Sequence, residues 1–388
     1  MNASKSTDSS ATVSPTPSFA PRSTAPSVSV GIVGASGHAG GELCRLLLAH
    51  DHVRSIMPAS RTRQLFGLAH PNLLGCGLEF ASSEDLRAAA RNLDVVFFCA
   101  PSGEAMQQVR HFIDAGCRVI DLGPDFRFSD AASYERAYGR PHAAPDLLSE
   151  AVYGATELHR SRLSDARLVA NPGCYAFATL LALAPAVRAG LIDLSHDIHV
   201  SAVNGTTGAS STPMTATHHA NAANGMLAYS MEGHRHGPEL EQELSALAAR
   251  PVSVVMTTQH GPFPRGIQAV VTARAHPSHV ASLSRATLSQ TYLEAYGAGR
   301  DGEYFVVVNP FERGSEKNEK EYHLYPNVAR LAGSNFCQIG LDFDSQRGHI
   351  KVISAIDNLG KGAAGSAIQN MNLMLGLPEW TGLRAMGL

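Results

Sequence analysis

Cys174 is the residue best suited to covalent chemistry in this 388-residue chain. It follows Asn171-Pro172-Gly173, comes after the strand-like Leu168-Val169-Ala170, and opens an apolar run that reads as a helix from Cys174 to Ala189. A thiol in the first turn of a helix sits at the positive end of the dipole, among backbone N–H groups that lack intrahelical acceptors. Those amides can hold an oxyanion, and the same placement is expected to lower the thiol pKa below the free value of about 8.5. The other five cysteines, at 44, 76, 99, 117 and 337, lie in apolar strands, helices or loops without this placement. A lone cysteine also serves as a small core residue, and that reading stays open here. A nucleophilic thiol needs a proton partner. Gly233-His234-Arg235-His236-Gly237-Pro238-Glu239 offers two histidines in a glycine-bounded loop ahead of a helix. Their His-x-His spacing could also ligate a metal, although no metal site is expected. The pair His218-His219 reads as part of an exposed loop.

A second pattern lies near the start of the ordered chain. Gly34-Ala35-Ser36-Gly37-His38-Ala39-Gly40 stands between a β-branched run, Val28 to Val33, and a helical segment, His38 to His50. Glycines at Gly34, Gly37 and Gly40 let a backbone turn sharply and approach a pyrophosphate seated on the helix N-terminus. The next strand, Val53 to Ala59, ends in Ser60-Arg61-Thr62-Arg63. An NAD site usually carries an acid there for the ribose 2′-hydroxyl. Here a hydroxyl and guanidinium groups stand instead, which suits the 2′-phosphate of NADP(H). The competing reading is that Arg61 and Arg63 belong to a solvated loop.

These residues need a scaffold. Strands are expected at 28–33, 53–59, 94–99 and 118–122, with a helix over 103–115 between the last two; continuous apolar strands alternating with helices predict a parallel, doubly wound sheet. After about residue 170 strand candidates at 197–203, 252–258, 267–274, 304–308, 337–343 and 349–356 follow one another with few helices, which predicts a mixed or antiparallel sheet with one face on helices. A last helix is expected over 362–375. Length favours two or three domains. With 44% hydrophobic and 17% charged residues a sizeable core can form, and a net charge of −3 gives no basic excess for gripping nucleic acid. No apolar run reaches the roughly 18 residues of a membrane span. Six cysteines without a Cys-x-x-Cys pair argue against a disulfide or zinc framework and for a reducing, cytoplasmic setting. Residues 1–27, rich in Ser, Thr, Pro and Ala, are expected to be a disordered extension, with an organellar transit peptide as the weaker alternative.

The wording of the motifs resembles the N-acetyl-gamma-glutamyl-phosphate reductases of the semialdehyde dehydrogenase superfamily. The matching stretches are GIVGASGHAGGEL from Gly31, Asp121-Leu122 with Asp125-Phe126-Arg127, LVANPGCY from Leu168, GHRHGPELEQEL from Gly233, Arg265-Gly266-Ile267, GSNFC from Gly333, and IDNLGKGAAGSAIQNMNLMLGLPE from Ile356. The resemblance covers residues 28 to 388. The resemblance implies a Rossmann-type NADP-binding domain (28–171 with 357–388) and an α+β catalytic and dimerisation domain with a mixed sheet (172–356). It implies NADPH-dependent reduction of an acyl phosphate through a thioester on Cys174. His234 would be the acid–base residue and His236 the less favoured one. Gly34, Ser36, Gly37, Gly40, Ser60 and Arg61 would bind cofactor. Asn335, Asn358 and Lys361 belong to motifs implied on the cofactor side or at the active site. Arg127 and Arg265 are the candidates for cradling the substrate phosphate. A homodimer or homotetramer is implied, with no nucleic-acid or membrane partner.

Departures from the family pattern cluster on the expected substrate side. Where members carry a segment like SGVSGAGR, this chain has Asn204-Gly205-Thr206-Thr207-Gly208-Ala209-Ser210-Ser211, without the arginine. Gly123 stands where ADFR is preceded by serine, Gln259-His260 replaces the usual Pro-His, and 309–328 is longer and more charged. Three functions therefore stand open: the arginine-pathway reductase, a paralogue acting on another blocked or carrier-borne acyl phosphate, and a non-catalytic nucleotide-binding protein. Intact Cys174 and His234 count against the last.

Overall fold

The computed structural model describes residues 27–61, 64–297, 302–314 and 320–387. The expected N-terminal extension, apart from Ser27, lies outside the described residues, as do Thr62 and Arg63.

Six strands form an all-parallel sheet: β1 (Val28–Val33), β2 (Val53–Ala59), β3 (Val95–Phe98), β4 (Arg118–Asp121), β5 (Val152–Tyr153) and β6 (Leu168–Ala170), in the order β2-β1-β3-β4-β6-β5. Every residue of β1 and β3 is buried, as a sheet covered on both faces requires. From β1 the chain winds outward to β2, then returns to β3 on the other side. That reversal opens a crevice above the carboxyl ends of β1 and β3, where ligands of such sheets bind.

The second sheet has seven strands: β7 (Ile198–Asn204), β8 (Leu227–Tyr229), β9 (Val254–His260), β10 (Ile267–Arg274), β11 (Val306–Val308), β12 (Cys337–Asp344) and β13 (His349–Ile356). Their order is β11-β12-β13-β10-β7-β9-β8, with β7–β9 and β11–β12 parallel and the other pairs antiparallel. Buried and more exposed residues alternate along β9 and β10, so one face is the core. The helix Cys174–Arg188 lies in that core with residues Tyr175 to Val187 buried all round, packing with Val200, Ala202, Ile267, Ala269 and Val271. Pro185 lacks the N–H that would bond the Leu181 carbonyl, and the Tyr296 hydroxyl donates to that carbonyl at 2.6 Å instead. This external donor lets the apolar helix run through its proline.

Two helices differ from the sequence expectation. The segment 103–115 is not one helix but a 3₁₀ turn, Ala105–Gln107, followed by Val109–Asp114. The last helix begins as a π turn, Gly360–Ala364, and continues as Gly365–Met374. It returns to the first sheet, where Ala367, Ile368 and Met371 share a core with Val30, Ile32, Leu43 and Val95. No helix among the described residues is long and apolar enough to cross a membrane.

Candidate active site

A cleft of about 1030 Å³ lies over the crevice of the first sheet and reaches the start of the Cys174–Arg188 helix. Gly34, Ser36, Gly37, Gly40, Ser60 and Arg61 line one wall; Arg127, Gly173, Cys174, Thr207, Arg235, His236 and Asn358 line the other. The glycines have separate reasons. Gly34 has φ +75°, and a Cβ there would meet the Cys99 carbonyl oxygen at 2.5 Å. A Cβ on Gly40 would strike the Ala35 backbone at 2.6 Å, so the His38–Leu47 helix can approach the loop only without one. A Cβ on Gly37 would meet nothing of the protein closer than 3.7 Å, so this face of its backbone opens onto the cleft rather than onto packing. That cradle at a helix N-terminus fits a dinucleotide pyrophosphate.

At the end of β2, Ser60 is buried, and the largely exposed Arg61 pairs with Glu104 at 2.9 Å. This leaves a guanidinium at the place where a ribose 2′-phosphate is expected. Arg61→Ala is expected to raise the KM for NADPH about tenfold and leave that for NADH unchanged, since charge-assisted contacts contribute about 1.5–3 kcal/mol. Steady-state kinetics with both cofactors decide it, and equal losses with both would contradict the assignment.

Three residues expected at the site lie elsewhere. Asn335 is buried behind the π turn, where its amide donates to Gln369 Oε1 at 3.0 Å; it does not line the cleft. Lys361 is fully buried against Glu157 and Gln369, away from the cleft lining. Arg265 is also off the cleft and joins two carboxylates, Glu42 at 2.7 Å and Asp357 at 2.8 Å, tying the cofactor-loop helix to the second sheet. Each is held by partners far away in sequence. Asn358 does reach the cleft, accepting the Gly266 N–H at 2.8 Å and donating to Thr207 at 2.9 Å.

Around the nucleophile, Gly173 caps the helix and Cys174 begins it. The turn before it is clamped by a residue that motif reading passed over. Glu239, fully buried, accepts the Gly173 N–H at 2.7 Å and the Tyr153 hydroxyl at 2.8 Å, and pairs with Arg127 at 3.3 Å. Arg127 in turn donates to the carbonyls of Asn171 and Leu122, each at 2.9 Å. Glu239 stands at the end of the same His-Arg-His stretch, and its position at the start of the His236–Ala248 helix was the only signal for it. Arg127 therefore reaches the cleft with its charge already matched. Arg235, exposed on the same wall, forms no ion pair among the described residues. It was overlooked because it lies between two histidines.

The histidines are not equivalent. His236 lines the cleft, and a Cβ on Gly173 would sit 2.4 Å from its Nε2, so that nitrogen faces the Gly173-Cys174 turn. His234, the first candidate from sequence, lies behind it, edge-on to Tyr175 and Tyr229, with its Nδ1 accepting the His236 backbone N–H at 3.2 Å. Burial, aided by the Arg235 charge and by His260, lowers His234 to about 4, and burial with neighbouring positive groups holds His236 well below the usual imidazole range. Both rings are neutral at pH 7. The thiol of Cys174 also departs from expectation. The charges of Arg127 and Arg235 and the Tyr175 N–H pull its pKa down, but burial outweighs them and the net shift is upward. The resting pair is thiol and imidazole, not thiolate and imidazolium.

These neutral rings make the fold acid-sensitive. In the unfolded chain an imidazole protonates near 6.5, whereas folded His234 does so near 4. Between those values the unfolded state binds more protons, so stability falls as pH drops through the window. At pH 5 the loss from His234 is about 2 kcal/mol. Between pH 7 and 5 the melting temperature of His234→Asn should fall less than that of wild type; the buried Asp121, pushed up to about 7, acts in the opposite direction in both proteins. An equally steep profile in that variant would count against the assignment.

Two family models match the chain: Semialdehyde dehydrogenase, NAD binding domain, over residues 29–166, and Semialdehyde dehydrogenase, dimerisation domain, over residues 174–358. The N-acetyl-gamma-glutamyl-phosphate reductase of Nitrosospira multiformis is 40% identical over 352 residues, covering 90% of this chain and 96% of the relative. That of Methanopyrus kandleri is 41% identical over 366 residues, covering 93% and 99%. Among solved structures, aspartate semialdehyde dehydrogenase II of Vibrio cholerae aligns with a TM-score of 0.66 at 16% identity, covering 91% of this chain and 99% of that one, a likeness of fold.

Proposed function

The chain belongs to the semialdehyde dehydrogenase family, and from that premise we propose that it reduces N-acetyl-glutamyl 5-phosphate with NADPH to N-acetyl-glutamate 5-semialdehyde and phosphate, a step of arginine biosynthesis. The observation that carries the reading is the single cleft with the glycine loop on one wall and Cys174 on the other.

We assign the roles as follows. His236 Nε2 takes the thiol proton as sulfur attacks the acyl carbon. First-turn amides of the Cys174–Arg188 helix hold the oxyanion, and phosphate leaves with its bonding electron pair, giving a thioester on Cys174. Arg235, a cleft cation with no carboxylate partner among the described residues, receives the phosphate. NADPH held by the Gly34 to Gly40 loop and the Ser60-Arg61 turn would supply the hydride that the thioester carbon accepts. The oxyanion of the resulting thiohemiacetal is held by the same amides, and its collapse releases the aldehyde while His236 returns the proton to sulfur. Glu239 and Arg127 keep the Gly173-Cys174 turn in place throughout.

We further propose domain limits near residues 171 and 356, and a homodimer or homotetramer, supported by the match to a dimerisation domain. Its unpaired cysteines support a cytoplasmic setting. The deciding assay follows NADP⁺ reduction with N-acetyl-glutamate 5-semialdehyde and phosphate, beside differently blocked and carrier-borne semialdehydes. Phosphate-dependent turnover of the N-acetyl compound supports the reading. Turnover of only another acyl group would establish the paralogue, through the altered 204–211 loop.

A further inference from the structure

Asn204 ends β7, where its backbone is fixed between His260 of β9 and Ile267 of β10. Its side chain is 1% exposed, and its Nδ2 points at Cys174 Sγ from 3.8 Å. The loop that follows is built around this amide: a Cβ on Gly208 would overlap Asn204 Nδ2 at 2.1 Å, so only glycine leaves it room. Packing alone does not explain the residue. Among the described residues its Oδ1 is buried with no hydrogen-bond partner, and beside a reactive sulfur such an unmade bond calls for an explanation in the chemistry. Asn204 is also one of the departures of the 204–211 segment, standing where a serine, with a shorter reach, is the pattern.

We propose that Asn204 is a catalytic residue of this chain, its carboxamide N–H donating to the Cys174 sulfur and stabilising the thiolate that attacks the acyl group. On balance the rest of the site opposes ionisation, burial outweighing the help of Arg127, Arg235 and the Tyr175 N–H. The thiol is half-buried on the cleft wall, the neighbouring imidazoles are neutral, and the buried Glu239 carboxylate lies just behind Gly173. A charge-assisted N–H···S⁻ contact costs little in the resting thiol and strengthens as charge develops, which is the differential binding that lowers a barrier. The proton still leaves to His236; Asn204 supplies a fixed dipole and changes no charge.

The proposal rests on the reading of Cys174 as nucleophile, and its test needs no substrate. The rate of iodoacetamide alkylation of Cys174, followed by peptide mass spectrometry, is measured from pH 6 to 10 in wild type and in Asn204→Ala, Asn204→Ser and Asn204→Asp. Folding is checked by NADPH binding. Losing the donor should move the profile up about one pH unit, so that alkylation at pH 7 falls about tenfold in Asn204→Ala. Asn204→Asp, which places a carboxylate against sulfur, should be slower still, and Asn204→Ser should lie between alanine and wild type. The kcat should follow the same order with KM for NADPH unchanged. If the alanine variant loses NADPH binding, the serine and aspartate variants carry the comparison. An aspartate variant alkylated as fast as wild type, or profiles that coincide among folded variants, would overturn the proposal. A shifted profile in a protein that fails to reduce N-acetyl-glutamyl phosphate would leave it standing and remove the substrate assignment instead.

Discussion

Cys174→Ser is expected to lower turnover by more than about 10³-fold while leaving the fold and NADPH binding intact. Serine is nearly isosteric, so the packing of the helix start is kept, but its hydroxyl ionises far less readily than a thiol and forms no thioester. Mixing wild type with acyl phosphate in the absence of NADPH should leave the acyl group on the Cys174 peptide. Iodoacetamide should compete for the same sulfur, and acyl phosphate should protect it. Burial pushes this thiol up, so alkylation should accelerate above neutral pH rather than plateau below it. The other cysteines provide contrast. Cys44 and Cys337 are buried and pushed up to about 12, and Cys99 is driven higher still. Cys76 is half-buried and off the cleft, so any labelling there should be indifferent to acyl phosphate. Full activity in the serine variant, or an adduct on another cysteine, would remove the mechanism and leave the fold.

Local signals located most of the frame. The alternation along β9 and β10 and the apolar runs of β1 and β3 are properties of contiguous residues, so sheet type and strand positions could be read directly. The break at 103–115 could not. Asp125, from beyond β4, accepts the Gly103 N–H at 2.7 Å and the Met106 N–H at 3.1 Å, and Gly103 takes φ +92° to present its amide. A carboxylate about twenty residues away thus binds the first amides of the segment and holds Gly103 outside helical geometry, and no periodicity within the segment announces it.

The site divides in the same way. Cys174 and the glycine loop were legible because their chemistry follows from a strand, a turn and a helix start that adjoin in sequence. The partners of Arg265 were not legible, because charge and motif membership say nothing about them; Glu42, more than two hundred residues earlier, pairs with it. The order of the two histidines was not legible at all. They are two residues apart at the entry of one helix, and only the packing of Tyr175 and Tyr229 around His234 leaves His236 on the cleft. The upward shift of the thiol has the same origin, since dipole and charge can be inferred from sequence but enclosure cannot.

Lys361→Ala is expected to destabilise the protein by about 3–5 kcal/mol, the cost of leaving a buried carboxylate without its counter-ion. Both Lys361 and Glu157 are sealed from solvent, the ammonium also donates to Gln369 Oε1 at 2.7 Å, and the rings of Phe177 and Phe305 lie 5.0 and 5.3 Å from it. Such a loss is a large part of the 5–15 kcal/mol typical of a whole domain. Its effect should reach the nucleophile. Lys361 belongs to the π turn that also contains Gly362, where an added Cβ would come within 3.0 Å of the Cys174 Cβ, so the turn forms the backbone wall beside the thiol. The pair itself is a weak source of net stability, because two desolvated charges offset much of their attraction. The double variant Glu157→Leu with Lys361→Met should therefore recover most of what Lys361→Ala loses. Urea denaturation of Glu157→Leu, Lys361→Met and the double variant closes the cycle. A coupling near zero would show that the charges do not act as a pair. A double variant that regains stability but not turnover would show that the turn needs the ammonium in place to hold Cys174 in register with the helix amides.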